Sequence, residues 1–108
     1  LGFRLHSRVY HEELKCDMAF IKNNDFFIEL FKYDTPLAMS EERTEPDRDL
    51  QRIGTKHICF RVPDLKDTVD ELKKKQADIV FVKTVDSIPT CFIRDNSRVL
   101  IEFMEWHD

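Results

Sequence analysis

An α+β fold is predicted, built from paired βαβββ modules that form a cup-shaped mixed β-sheet, with the first module lacking its leading strand and helix. Two observations predict it. The first is an internal repeat: Cys91–Glu105 (CFIRDNSRVLIEFME) restates Ala19–Lys32 (AFIKNNDFFIELFK). Phe92-Ile93-Arg94 lies over Phe20-Ile21-Lys22, Asn96 over Asn24, and Ile101-Glu102-Phe103 over Ile28-Glu29-Leu30, with one extra residue in the later turn. Each copy reads as strand, Asn-containing turn, strand, with a carboxylate mid-strand among apolar neighbours. The second is a single amphipathic stretch, Asp64–Gln76, which belongs on the outer face of the sheet.

The elements follow in order. Phe3–Tyr10 alternates Phe3, Leu5, Ser7, Val9 against Arg4, His6, Arg8, Tyr10, the pattern of a half-buried strand. Lys15–Lys22 is the next strand, Asn23-Asn24-Asp25 a turn suited to positive φ, and Phe26–Tyr33 the following strand. That last run, FFIELFKY, is apolar on both faces apart from Glu29 and needs cover on both sides. Asp34–Arg52, with Pro36, Pro46 and many charges, breaks all periodicity. It reads as a solvated connection between two halves, with room for a short helical turn. Ile53–Val62 is a strand around His57, ended by Pro63. Asp64 is a fair N-cap with Asp67 at the capping-box position. Leu65, Val69 and Leu72 form one apolar stripe, and Lys73-Lys74-Lys75 closes the helix where positive charge suits the macrodipole. Ile79–Thr84 is a strand, Thr90–Arg94 and Val99–Glu105 the repeated hairpin, and Trp106-His107-Asp108 a tail.

The second half therefore reads β-α-β-β-β and the first only β-β-β, so the chain is expected to begin inside its first module. One domain is expected over 1–108, with 1–33 the partial first module, 34–52 the linker and 53–105 the second module. The net charge of −4 argues against a broad nucleic-acid surface. No apolar run approaches the roughly 18–20 residues that span a bilayer, so no membrane partner is expected. Cys16, Cys59 and Cys91 are scattered without a CxxC and read as buried thiols in a reducing, cytoplasmic compartment.

Three residues carry chemistry. Glu29 and Glu102 occupy equivalent repeat positions, and a carboxylate buried in a sheet is costly unless paired or bound to a cation. If a pseudo-twofold axis relates the repeats, the two face each other across it. His57 shares a strand face with Cys59 and Arg61, and a histidine added to two carboxylates suits Zn²⁺, Ni²⁺, Co²⁺, Mn²⁺ or Fe²⁺. Taken singly, a strand Glu is more often an edge residue or an Arg partner, and a strand His a satisfied core residue.

The run GTKHICFRVPDL with the helix after it, and the paired FFIELF and VLIEFME, resemble the vicinal oxygen chelate superfamily (the glyoxalase, bleomycin-resistance and extradiol dioxygenase fold). The opening Leu1-Gly2-Phe3-Arg4 resembles that family's junction between first helix and second strand. The resemblance spans nearly the whole chain; one such scaffold hosts many chemistries. It implies that His57 is the metal-binding histidine of the second module, Glu102 its carboxylate ligand, and Glu29 the first-module ligand of glyoxalase-type members. The family's fourth ligand, His or Gln on the missing first strand, has no counterpart here.

Glutamate at position 29 points to the glyoxalase I-like branch, since extradiol dioxygenases use two His and one Glu and methylmalonyl-CoA epimerase carries Gln. The implied function is a metal-dependent lyase or isomerase that acts on a small oxygenated substrate through a metal-stabilised enediolate, with Glu102 or Glu29 as the catalytic base. The implied cofactor is a divalent transition metal. The glutathione-binding pattern of glyoxalase I is not recognisable. The alternatives are a non-catalytic, ligand-sequestering protein of the bleomycin-resistance type, marked by Glu29 or Glu102 salt-bridged to Arg61 or Arg94, and an extradiol-type dioxygenase. A homodimer is expected, because strands apolar on both faces need more cover than one helix supplies.

Overall fold

The computed structural model describes residues 1–107; Asp108, the end of the expected tail, lies outside the described residues. The backbone divides into two compact units, Leu1–Ala38 and the part from Met39 onward.

The first unit is an antiparallel meander of β1 (Arg4–His11), β2 (Cys16–Asn23) and β3 (Phe26–Tyr33). The strands fall within a residue of their expected bounds. Asn24 turns the β2–β3 hairpin at φ +51°, the left-handed conformation that its short polar side chain tolerates. Burial departs from expectation. β1 is exposed along its whole length and not half-buried, and Cys16 is the one buried residue described in this unit. A lone three-stranded sheet has two faces and no second layer of its own to pack on either. Phe26, Phe27, Leu30, Phe31 and Tyr33 of β3 are accordingly exposed.

The second unit realises the predicted β-α-β-β-β order: β4 (Ile58–Val62), α2 (Leu65–Lys74), β5 (Asp78–Val85), β6 (Ile88–Arg94) and β7 (Leu100–Glu105), preceded by α1 (Pro46–Gln51). The sheet runs β4-β7-β6-β5; β4 lies parallel to β7 and the other pairs are antiparallel. Helix α2 starts as its residues dictate. The Asp64 carboxylate accepts from the Asp67 N–H at 2.8 Å, capping one of the free donors of the first turn. Leu65 and Val69 are buried against Val62, Cys91, Ile93 and Phe103, with Leu72, Phe60, Ile79 and Ile101 packed around them. Trp106 continues from β7 with its N–H on the Val62 carbonyl at 3.2 Å.

The repeat holds at the level of register. Phe20 pairs with Glu29 and Ile21 with Ile28 in the first hairpin; Phe92 pairs with Glu102 and Ile93 with Ile101 in the second. The extra residue changes the later turn. Its left-handed residue is Arg98, at φ +68°, and not Asn96. The Asp95 carboxylate organises this turn by accepting from the N–H groups of Ser97 and Val99 at 2.8 and 2.9 Å.

Two further expectations are corrected here. The strand expected over Ile53–Val62 begins only at Ile58, so His57 precedes the strand and is not inside it. The parallel ladder opens at Ile58↔Ile101, and β7 itself begins one residue earlier, leaving residues before Ile58 little strand to pair with. The connection expected to be solvated is partly buried. It forms a 3-10 turn over Glu41–Thr44 and then α1, and it places Thr44, Pro46 and Asp49 in the interior.

Candidate functional site

Alternation along the strands sorts their side chains between two faces. On β4, β6 and β7, Phe60, Val62, Cys91, Ile93, Ile101 and Phe103 pack in the cluster that includes Leu65 and Val69 of α2. Cys59, Phe92 and Glu102 occupy the intervening positions, on the face away from the helix. His57, just ahead of β4, joins them. Its Nε2 lies 3.0 Å from Glu102 Oε2, and both side chains are largely buried, at 13% and 16% exposure. The Phe92 ring meets the imidazole edge-on at a centroid distance of 4.7 Å, and Phe81 of β5 packs on Phe92 at 5.1 Å. Three elements thus fix the His57–Glu102 pair: the approach to β4, the hairpin register that sets Phe92 beside Glu102, and the β5 edge.

Cys59 stands across the ladder from Glu102. The expectation that it is buried is corrected: the residue is exposed, unlike Cys16 and Cys91, and all three are free thiols. Desolvation, and secondarily the Glu102 carboxylate, push the Cys59 thiol up to about 11, so it stays protonated at neutral pH. The imidazole Nδ1 of His57 is buried without a hydrogen-bond partner.

The pair fits two ligands of one cation. Atoms each about 2.0–2.2 Å from an ion lie roughly 3 Å apart when they subtend a right angle, and His57 Nε2 and Glu102 Oε2 are 3.0 Å apart. Imidazole nitrogen with carboxylate oxygen is a donor set for Zn, Ni, Co, Mn or Fe. Nδ1, the other ring nitrogen, lacks the outer acceptor that orients most metal-ligating histidines. Among the described residues no group of three or more His, Cys, Asp or Glu is arranged to hold a metal, so this is a pair and not a triad.

Glu29 belongs to the first unit, on β3 opposite Phe20. It is exposed there, so the desolvation argument for a buried carboxylate at that position does not hold within its unit. Of the two arginines that would mark a ligand-sequestering site, Arg94 is engaged elsewhere, by the Thr44 carbonyl, Glu45 and Asp78. Arg61 lies over the Trp106 ring at 5.6 Å.

Sequence reasoning did not single out Phe92, Phe81 or Asp49. The first was legible in principle, because the repeat sets the hairpin register and with it the Phe–Glu pair.

The family described as the Glyoxalase/Bleomycin resistance protein/Dioxygenase superfamily matches residues 1–103. A glyoxalase family protein from Enterococcus faecalis has a similar structure, with a TM-score of 0.81 at 17% identity over 96% of this chain and 79% of that one. A glyoxalase family protein from Bacillus cereus is 27% identical, with a TM-score of 0.68 over 96% of this chain and 78% of that one. Glyoxalase I from Zea mays matches at 20% identity and a TM-score of 0.73 over 99% of this chain and 37% of that one. A comparison with curated proteins gives no match.

Proposed function

The chain belongs to the Glyoxalase/Bleomycin resistance protein/Dioxygenase superfamily, and from that premise we propose that it is a metal-dependent lyase or isomerase of the glyoxalase type, acting on a small oxygenated substrate. The observation that carries the reading is the 3.0 Å approach of His57 Nε2 to Glu102 Oε2 on the sheet face away from α2. A divalent transition metal held by these two residues would polarise substrate oxygens and stabilise the charge that develops on proton abstraction. The chain's own groups do the rest. His57 would hold such an ion through its imidazole Nε2. Glu102 would hold it through Oε2, and its carboxylate is the group that takes and returns the substrate proton. Phe92 and Phe81 wall the pair and limit water around it, which strengthens both interactions. The protonated Cys59 adds no competing charge.

Glu29 enters this reading as the repeat counterpart of Glu102, proposed as a further ligand or base. The exposed apolar residues of β3 support a homodimer. Three free cysteines accord with a reducing compartment such as the cytoplasm. Among the described residues no helix is long and apolar enough to cross a membrane.

The test is metal titration and elemental analysis of the full-length protein, followed by turnover assays. Binding of about one metal per chain, with loss of tight binding and of turnover in Glu102→Gln, is the expected result. Absence of metal binding overturns the reading. It then favours the ligand-sequestering alternative, to which the aromatic contacts His57–Phe92–Phe81 also lend themselves. Metal binding without turnover of methylglyoxal and glutathione removes only the glyoxalase assignment, and ring cleavage of a catechol with Fe²⁺ and oxygen would replace it with the dioxygenase.

A further inference from the structure

His57 sits in a stretch that the sheet does not hold. Thr55, Lys56 and His57 precede the first ladder pair of β4. Upstream, Gly54 has φ +128° with nothing near its missing Cβ, and Ile53 is fully exposed. The ladder pairs begin only at Ile58, and the edge-on Phe92 ring meets the imidazole without fixing the backbone that carries it.

The hold comes from the connection before it. Asp49, on α1, is 2% exposed, and a buried carboxylate requires partners. Arg43 Nε donates to its Oδ1 at 3.0 Å, while Arg43 Nη2 donates to the Thr55 carbonyl at 2.7 Å. Lys56 Nζ donates to the Asp49 carbonyl at 2.6 Å and stands 3.8 Å from the same carboxylate. One guanidinium and one ammonium therefore tie the two residues before His57 to a single buried acid. This segment is in turn fastened to the hairpin that carries Glu102. Arg94 Nε donates to the Thr44 carbonyl at 2.8 Å, and Arg98 reaches Glu41 at 2.9 Å and the Thr44 hydroxyl at 3.2 Å. His57 and Glu102 are thus referenced to one frame.

We propose that Arg43 and Asp49 are positioning residues that hold the His57 imidazole against Glu102. The proposal deepens the metal-site reading and rests on it for its functional consequence. A fork such as guanidinium can satisfy Asp49 and Thr55 together; a lysine at the same place delivers one point charge and cannot span both. Arg43→Lys accordingly keeps the charge of the buried pair and releases Thr55. Asp49→Asn keeps the shape and removes the charge that orders both cations.

The test compares the full-length wild type with both variants, without metal, by nitrogen NMR of the imidazole, with backbone amide spectra of β5–β7 as the check on folding. The expected result is one ordered His57 ring signal in the wild type, with Nε2 donating to Glu102, and a shifted or exchange-broadened signal in the variants while the sheet amides are unchanged. Should Asp49→Asn fail to fold, Arg43→Lys decides. An unchanged His57 signal in folded Arg43→Lys overturns the proposal. Co²⁺ titration gives the functional arm: outer groups that orient a metal ligand change affinity by about 10- to 100-fold, and a loss of that size is expected. A wild type that binds no Co²⁺ defeats the metal reading, whereas the ring signal still supports or overturns the positioning role.

Discussion

Glu102 and Glu105 lie on the same strand, β7, and serve opposite faces of one sheet. Glu102 meets His57 at 3.0 Å on the face away from the helix, and Glu105 Oε2 accepts the N–H of Leu65 at 2.8 Å at the start of α2. The odd spacing is what separates a site residue from a scaffold residue. Their replacements are therefore expected to fail in different ways.

Glu105→Gln is a pH experiment. The Leu65 N–H, and then His107, hold the Glu105 carboxyl below the usual carboxylate range. A group with a lowered folded pKa contributes stability that is present above its unfolded pKa, about 4.3, and is lost as pH falls through the folded value. At neutral pH the variant is expected to be less stable than wild type, and the gap should close below about pH 4. Urea unfolding from pH 3 to 7 measures it; a gap independent of pH contradicts the assignment.

Asp64→Ala removes the side-chain acceptor of the Asp67 N–H and leaves that first-turn donor without its cap. A loss of about 1 kcal/mol is expected. Chemical denaturation reads it, and Asp64→Ser should recover most of it, because a hydroxyl can accept the same bond.

Phe103→Ala empties the centre of the second unit. The ring is 3% exposed and packs on Phe60 at 5.9 Å as well as in the cluster with Leu65 and Val69. A cost of about 3–5 kcal/mol is expected, with the denaturant midpoint falling and the slope unchanged. A cost under about 1 kcal/mol would mean that the sheet and helix re-close over the gap.

Much of this fold was legible because the pattern was written twice. The pairing of Phe20 with Glu29 and of Phe92 with Glu102 follows from matching apolar runs around matching turns. Leu65, Val69 and Leu72 at helical spacing identified the buried stripe of α2 without any other information. The misses come where strand ends, burial or facing are set by partners that residue type alone does not reveal. His57 looked strand-internal because the apolar run Ile58-Cys59-Phe60 follows it directly, yet a strand ends where its ladder ends, and that is decided by β7. Asp49 sits in a run of charges that reads as solvated; Arg43 and Lys56, close to it in the chain, fold back onto it and make its burial tolerable. Cys59 looked like a core thiol by residue type, but its strand position assigns it to the face of Glu102. Glu29 matched Glu102 in sequence while differing from it in burial, because His57, braced by Phe92, closes over Glu102 on the face away from the helix, whereas Glu29 is exposed on its own sheet.

That difference leads to the prediction about assembly. Phe26 and Leu30 lie on one face of β3, and Phe27, Glu29, Phe31 and Tyr33 on the other. Phe26 and Leu30 are 60% and 47% exposed, and Phe27 and Phe31 are 42% and 56% exposed. Apolar side chains at this density on one short strand cost solubility unless something covers them. A second copy is the cover proposed here, and sedimentation of the full-length protein should show a dimer at micromolar concentration. Leu30→Lys places a charge on the face that does not carry Glu29, so it tests assembly apart from the ligand set. If that face is the interface, burying an unpaired ammonium is expected to weaken the dimer by at least ~10-fold, with metal affinity at His57 and Glu102 unchanged. If Leu30→Lys is neutral, Phe31→Lys moves the question to the Glu29 face. Neutrality at both positions, or a wild-type monomer at high micromolar concentration, would show that β3 is not a dimer surface.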